Sequence, residues 1–358
     1  MVVVGSDVHK HTHTFVGVDQ AARELGHKTF PATTAGHQAA IRWARERFGA
    51  DLRWAVEDCR HLSARLERDL LAAGQVVVRV PPKMMAEQRR IARTRGKSDP
   101  IDAAAVARAA LREPDLPLAA HDDVSRQLKL LIDRREDLVK TRTATINRLL
   151  WRVHELDPAW APKARSLDLA KHRRALQAHL ESVSEVGVVG LLAELARDEL
   201  AEITALTTKI NDLAKSIEHA TSQAAPTLLA MPGVGPLTAA KIVGETAGVT
   251  RFSSEAAFAR YAGIAPIPVW SGHTAGRVRL ARSGNRQLNA AVHRIAITQI
   301  RLDGLGHAYY RKKRAEGKTN PEALRCLKRR LVRVVFGHLN TDQHPAENPI
   351  TKPIAAAA

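Results

Sequence analysis

Two carboxylates stand three residues apart in Lys97-Ser98-Asp99-Pro100-Ile101-Asp102, directly after a basic run of Arg89, Arg90, Arg93, Arg95 and Lys97. Proline suits a first helical position, so a helix starting there puts Asp99 at or near its N-cap and Asp102 on its first turn. At a spacing of i, i+3 both acids share one face. The ordinary alternative is a capping Asp followed by a solvated acid. Two further acids change the balance. Asp7 lies at the end of a β-branched run over 2–8, and Glu57 closes a second run over 52–57. Singly, Asp7 reads as a turn acid and Glu57 as a surface acid beside Asp58. Together they offer four hard oxygen donors, a set suited to Mg²⁺ or Mn²⁺. Two such ions about 3.5–4 Å apart serve in-line phosphoryl displacement.

The elements that would position these acids are short and alternate in type. Runs over 2–8, 14–18 and 26–30 read as a three-stranded meander, with His9-Lys10-His11-Thr12 as a turn. Helical periodicity follows over 35–48, a strand over 52–57, a helix over 61–73 stopped by Gly74, and a strand over 75–80 closed by Pro81-Pro82. The order β-β-β-α-β-α-β-α implies an α/β domain with a mixed five-stranded sheet covered on both faces. Sites in such sheets form at the C-terminal ends of neighbouring strands, where Asp7 and Glu57 lie.

The chain has 358 residues and a formal charge of +18, which points to a polyanionic partner, nucleic acid first. Sixteen Lys/Arg against three Asp/Glu fall between Ser271 and Arg333, so the excess is concentrated. No stretch approaches the ~20 apolar residues of a membrane span. The first residues lack a signal-peptide pattern, and Cys59 and Cys326 are too few for a disulfide framework or a cysteine zinc site. A cytoplasmic protein is expected.

The middle of the chain reads as helices over 124–156, 171–180 and up to about Thr221. In the last, Ile203, Leu206, Ile210, Leu213 and Ile217 step by 3 and 4, a heptad seam. An antiparallel helical pair that also dimerises is expected; a hairpin packed within one chain is the alternative. Beyond it, Met231-Pro232-Gly233-Val234-Gly235-Pro236 between apolar helical segments resembles a helix-hairpin-helix. There Gly233 and Gly235 would offer backbone N–H groups to a phosphate, with Lys241 alongside. Basic helices over 287–301, 309–314 and 324–336 follow, and the Pro- and Ala-rich segment after Leu339 is expected to be disordered.

The motifs GSDVHK, VEDC and KSDPIDA, in this order of elements, resemble an RNase H/RuvC-like nuclease domain. The set Asp7, Glu57, Asp99 and Asp102 looks like the DEDD tetrad of insertion-sequence transposases of the IS-one-ten family and the related Piv-like DNA invertases. The segment YAGIAPIPVWSGHTAGRVRLARSGNRQLNAA resembles that family's C-terminal transposase segment. The resemblance implies a nucleophilic serine before a glycine, which carries to Ser271, with Ser283 as the rival. A serine hydroxyl needs a base or metal beside it, and no acid lies between Glu255 and Asp303. His273 reads as a phosphate contact, as do Arg93, Arg95, Lys97, Arg277, Arg279, Arg282, Asn285 and Arg286.

The resemblance also implies a coiled-coil spacer, donor and target double-stranded DNA as partners, a structured guide RNA, and a homodimer assembling into a synaptic tetramer. It implies a bacterial, nucleoid-associated location when bound. The expected domains are a RuvC-like unit over 1–115, a spacer over 122–222, a mostly helical transposase domain over 223–338 and a tail over 339–358. Two other functions stay open: a metal-dependent junction nuclease that uses water, and a nucleic-acid-binding protein without catalysis.

Overall fold

The computed structural model describes residues 1–58, 62–91, 98–113, 116–120, 122–160, 162, 166–183, 186–269, 273, 277–280 and 284–343. The described chain forms two compact units, one of 1–123, 231–233 and 245 onward, the other of 124–230 and 234–244.

The first unit begins with β1 (Val2–Val8), β2 (Thr12–Val18), β3 (Glu24–Pro31), α1 (Thr34–Phe48), β4 (Leu52–Glu57), α2 (Ala64–Ala72), β5 (Val76–Val80), α3 (Pro82–Ile91) and α4 (Asp99–Arg112). The sheet order is β3-β2-β1-β4-β5, with β1, β4 and β5 parallel and the first three strands an antiparallel meander. This is the mixed five-stranded sheet expected from the alternation of elements.

Side chains of a strand alternate between faces, and the two faces of β1 have different work. Val4 and Val8 join Phe15, Trp54 and Val56 under α1 and α2. Val3 joins Val16, Ala55, Val78 and Val80 against the alanine-rich face of α4. Gly5 lies between Val3 and Asp7 on that second face. A Cβ there would fall 2.1 Å from the Ala103 carbonyl oxygen and 2.6 Å from the Ala107 nitrogen, so only glycine lets α4 lie this close to the strand. On the other face the Ser6 hydroxyl donates to the Ala55 carbonyl at 3.1 Å, tying β1 to β4 just before Asp7 and Glu57.

In the second unit α5 (Asp123–Leu156) is followed by α6 (Ala170–Glu181), α7 (Gly187–Ala224) and the single turn α8 (Pro226–Leu229). Contacts of α5 with α7 run in opposite directions along the chain. Leu138 meets Leu206 and Ile210, while Leu149 and Val153 meet Ala196, Leu200 and Ile203. The pair is antiparallel, and Ile203, Leu206, Ile210 and Ile217 are buried within this one chain.

Next, α9 (Pro236–Thr246) runs across the division between the units. The first unit then resumes with α10 (Glu255–Tyr261), the hairpin β6 (Pro266–Val269) and β7 (Arg277–Leu280), then α11 (Arg286–Arg301), α12 (Leu305–Ala315) and α13 (Asn320–Gln343). The last helix continues past Leu339 to Gln343, because Leu339 is itself a buried face residue of α13. The disorder expected after Leu339 does not hold for 340–343, and 344–358 lie outside the described residues. Among the described residues no helix is long and apolar enough to cross a membrane.

Candidate active site

Strand register brings the first two acids together. Ser6 pairs with Val56 across the parallel β1–β4 ladder, so Asp7 and Glu57 follow side by side at the C-terminal ends of adjacent strands. By alternation both emerge on the face covered by α4. Helix α4 brings the third. Its N-cap is Ser98, Asp102 N donates to the Ser98 carbonyl at 3.1 Å, and Asp102 is 9% exposed. Asp99 occupies the same turn with its side chain about half exposed.

The electrostatics follow from this crowding. Burial pushes the Asp7 carboxyl above its ordinary value; the His9 ring pulls it back, and the charges of Asp102 and Asp99 push it up again. Glu57 is raised by burial first, then by Asp7, Asp102 and Asp58. Each carboxylate thus resists the ionisation of its neighbours. Arg89 Nε lies 2.9 Å from Asp102 Oδ1. That buried oxygen makes no hydrogen bond, so the guanidinium balances its charge through the ion pair. Asp7, Glu57 and Asp102 thus crowd one spot with hard oxygen donors of the kind that divalent cations take, while the donor atoms that lie within 4.8 Å of one another are those of Asp7, His9 and Asp99.

The remaining sequence-predicted residues divide three ways. Arg93, Arg95, Lys97, Ser271, Arg282 and Ser283 lie outside the described residues, as do the side chains of Arg277 and Arg279 on β7. His273 and Arg286 are exposed, Gly233 has φ +82°, and a Cβ on Gly235 would meet open space. Two residues are committed inside the protein instead. Lys241, only 4% exposed, donates to Glu136 at 2.7 Å, so its ammonium is turned inward and is not offered to a phosphate. Asn285 caps α11 by accepting from Leu288 N at 2.9 Å, and its amide donates to Glu245 at 2.6 Å and to the Tyr261 hydroxyl at 3.1 Å. Sequence reasoning also passed over a residue at the site. His9, read as part of a turn, puts Nε2 3.0 Å from Asp7 Oδ2. Its spacing of two from Asp7 at a strand end was the available signal.

Residues 4–156 match the transposase family DEDD_Tnp_IS110, and residues 225–311 match the Transposase IS116/IS110/IS902 family. The insertion element IS900 uncharacterized 42 kDa protein of Mycobacterium paratuberculosis is 30% identical over 86% of this chain and 87% of its own length. This chain belongs to the IS110 family of transposases. The insertion element IS116 uncharacterized 44.8 kDa protein of Streptomyces clavuligerus is 28% identical over 94% of both chains. The mini-circle putative transposase for IS117 of Streptomyces coelicolor is 28% identical over 74% of this chain. Among solved structures, T. thermophilus RuvC in complex with Holliday junction substrate aligns at 15% identity and a TM-score of 0.27, covering 33% of this chain and 99% of that one. The first match takes in all four acids of this transposase and the three elements that carry them, β1, β4 and α4. As a transposase it is an enzyme that cuts and rejoins DNA.

Proposed function

We propose that this transposase exchanges DNA strands through a covalent link at Ser271, with Asp7, Glu57, Asp99 and Asp102 holding divalent cations, Mg²⁺ or Mn²⁺. The observation that carries the reading is the convergence of Asp7, Glu57 and Asp102 from two strand ends and a helix start, close enough for their charges to act on one another. In the first step Ser271 Oγ bonds to phosphorus while a sugar oxygen leaves and takes the proton that the serine gives up. A hydroxyl of the second DNA then reverses the exchange and restores the serine. A divalent cation, when bound, polarises the phosphate and stabilises charge on the attacking and leaving oxygens. The four acids orient it, and the alanine contact of α4 with β1 fixes their spacing.

The division of labour follows the three expected parts. Residues 1–115 supply the acids, 122–222 the helical spacer, and 223–338 the serine loop and the backbone-binding glycines. Donor and target DNA are the substrates, and a structured RNA that selects them by base pairing suits a chain so basic and so poor in aromatic residues. A synaptic assembly of dimers and a bacterial cytoplasmic location belong to the same reading.

The test is strand exchange and adduct formation on full-length protein. Ser271→Ala and Asp102→Asn should each lower cleavage by more than about a thousandfold, and only chains with Ser271 should yield a protein–DNA adduct. Cleavage that survives Ser271→Ala but not Asp102→Asn would assign the chain to hydrolysis by water. An adduct mapped to Ser283 would move the nucleophile. Binding without cleavage in the presence of Mg²⁺ or Mn²⁺ would remove catalysis altogether.

A further inference from the structure

His9 leaves β1 two residues after Asp7, and its backbone N–H donates to the Thr12 carbonyl at 3.0 Å, closing the β1–β2 turn. The turn fixes where the ring begins. His9 Nε2 then sits 3.0 Å from Asp7 Oδ2 and 3.5 Å from Asp99 Oδ1. One donor atom from each of the three residues lies within 4.8 Å of the other two. The second of these distances is too long for a hydrogen bond. With a proton on Nε2 the ring donates to Asp7; without it, the Nε2 lone pair faces both carboxylates, so a cation can take the place of that proton among the three atoms.

We propose that His9, Asp7 and Asp99 form a cation position of their own, with an imidazole ligand, beside the all-carboxylate position of Asp7, Glu57 and Asp102. Asp7 is the residue common to both. This rests on the reading of the acids as cation ligands and adds to it an asymmetry between two positions. An imidazole nitrogen is softer than a carboxylate oxygen and is preferred by transition metals over Mg²⁺. The His9 position therefore selects Mn²⁺ over Mg²⁺, whereas the Glu57–Asp102 position, all oxygen, accepts either. The half-exposed ring places the selective position at the solvent-facing rim, so that ion exchanges the more readily of the two.

The experiment is Mn²⁺ titration of the full-length protein by calorimetry and pulsed EPR, for wild type, His9→Asn and Asp102→Asn. The wild type should show coupling of bound Mn²⁺ to a histidine nitrogen. His9→Asn should erase that coupling and weaken one Mn²⁺-binding event by about tenfold or more, with an unchanged far-UV circular dichroism spectrum showing that the variant is folded. The assignment is overturned if the wild type shows no nitrogen coupling, or if the coupling or both Mn²⁺ affinities persist in His9→Asn. Asp102→Asn separates the two readings. Mn²⁺ binding lost in Asp102→Asn but untouched in His9→Asn overturns the role of His9 alone, and a wild type that binds no Mn²⁺ overturns the cation site itself.

Discussion

Asp7 is held where an isolated chain would not choose to ionise it. Burial and the neighbouring acids keep its proton on to a pH above the ordinary value of 3.8. Between the unfolded and folded values the native state binds more protons, so stability falls as pH rises through that window. Glu57 acts in the same direction from its ordinary 4.5. In cation-free protein, Asp7→Asn should therefore raise the melting temperature, and the gain should grow as pH rises from about 4 to 7. Saturating Mg²⁺ should abolish the gain, because the wild type alone binds it well. A variant that melts lower than wild type at every pH would contradict the crowding of the acids. Asp7, Glu57 and Asp102 could be picked out of the sequence because strand ends and a helix start are written in local residue types. Lys241 and Asn285 could not be read correctly. A lysine in a basic segment looks like a phosphate contact until Glu136 is seen 2.7 Å away, and an amide after Gly284 looks free until it proves to cap α11. Partners 105 and 40 residues distant leave no local mark. Lys241→Met should cost about 1–3 kcal/mol of stability by leaving Glu136 unpaired, with DNA affinity at fixed salt unchanged. A drop in affinity at unaltered stability would return Lys241 to the interface.

Helix α4 works as a lid on β1 through side chains of one size. Ala103, Ala104, Ala107 and Ala110 are all buried against the strands, and Gly5 is the strand's answer to them. Gly5→Ala should destabilise the protein by about 1–3 kcal/mol through overpacking. It should also weaken divalent-cation binding, since the displaced helix carries Asp99 and Asp102. Thermal melting and Mg²⁺ titration check the two effects together; full cation affinity in a destabilised variant would mean that α4 adjusts without moving its acids. The sequence marks the alanines as helical and Gly5 as part of a strand, but the contact between residues 5 and 103 is tertiary and is invisible locally. The heptad seam of α7 shows the same limit. Its period is legible, but a period does not name a partner. The partner in the structure is α5 of the same chain, through Leu138, Leu149 and Val153. A dimer contact in the spacer must use side chains other than the buried seam.

Charge is a property of the molecule rather than of one contact. At +18, with its excess between Ser271 and Arg333, the transposase should bind nucleic acid with a steep salt dependence. The exposed α12 contains no buried residue and ends in Lys312, Lys313 and Arg314. Lys312→Gln should lower the slope of log affinity against log salt by about one and weaken all sequences alike; an unchanged slope would exclude that helix from the phosphate contacts. The division into two units was less legible than the charge, because it depends on which distant segments meet. The chain passes from one unit to the other at 123/124, 230/231, 233/234 and 244/245, the last inside α9. Chimeras between related insertion-sequence enzymes are therefore constrained. A graft of the spacer at residues 123 and 230 alone would pair one parent's α5–α7 hairpin with the other parent's α9, mismatching Glu136 and Lys241. A functional exchange has to carry 234–244 along with 124–230, as a single discontinuous cassette.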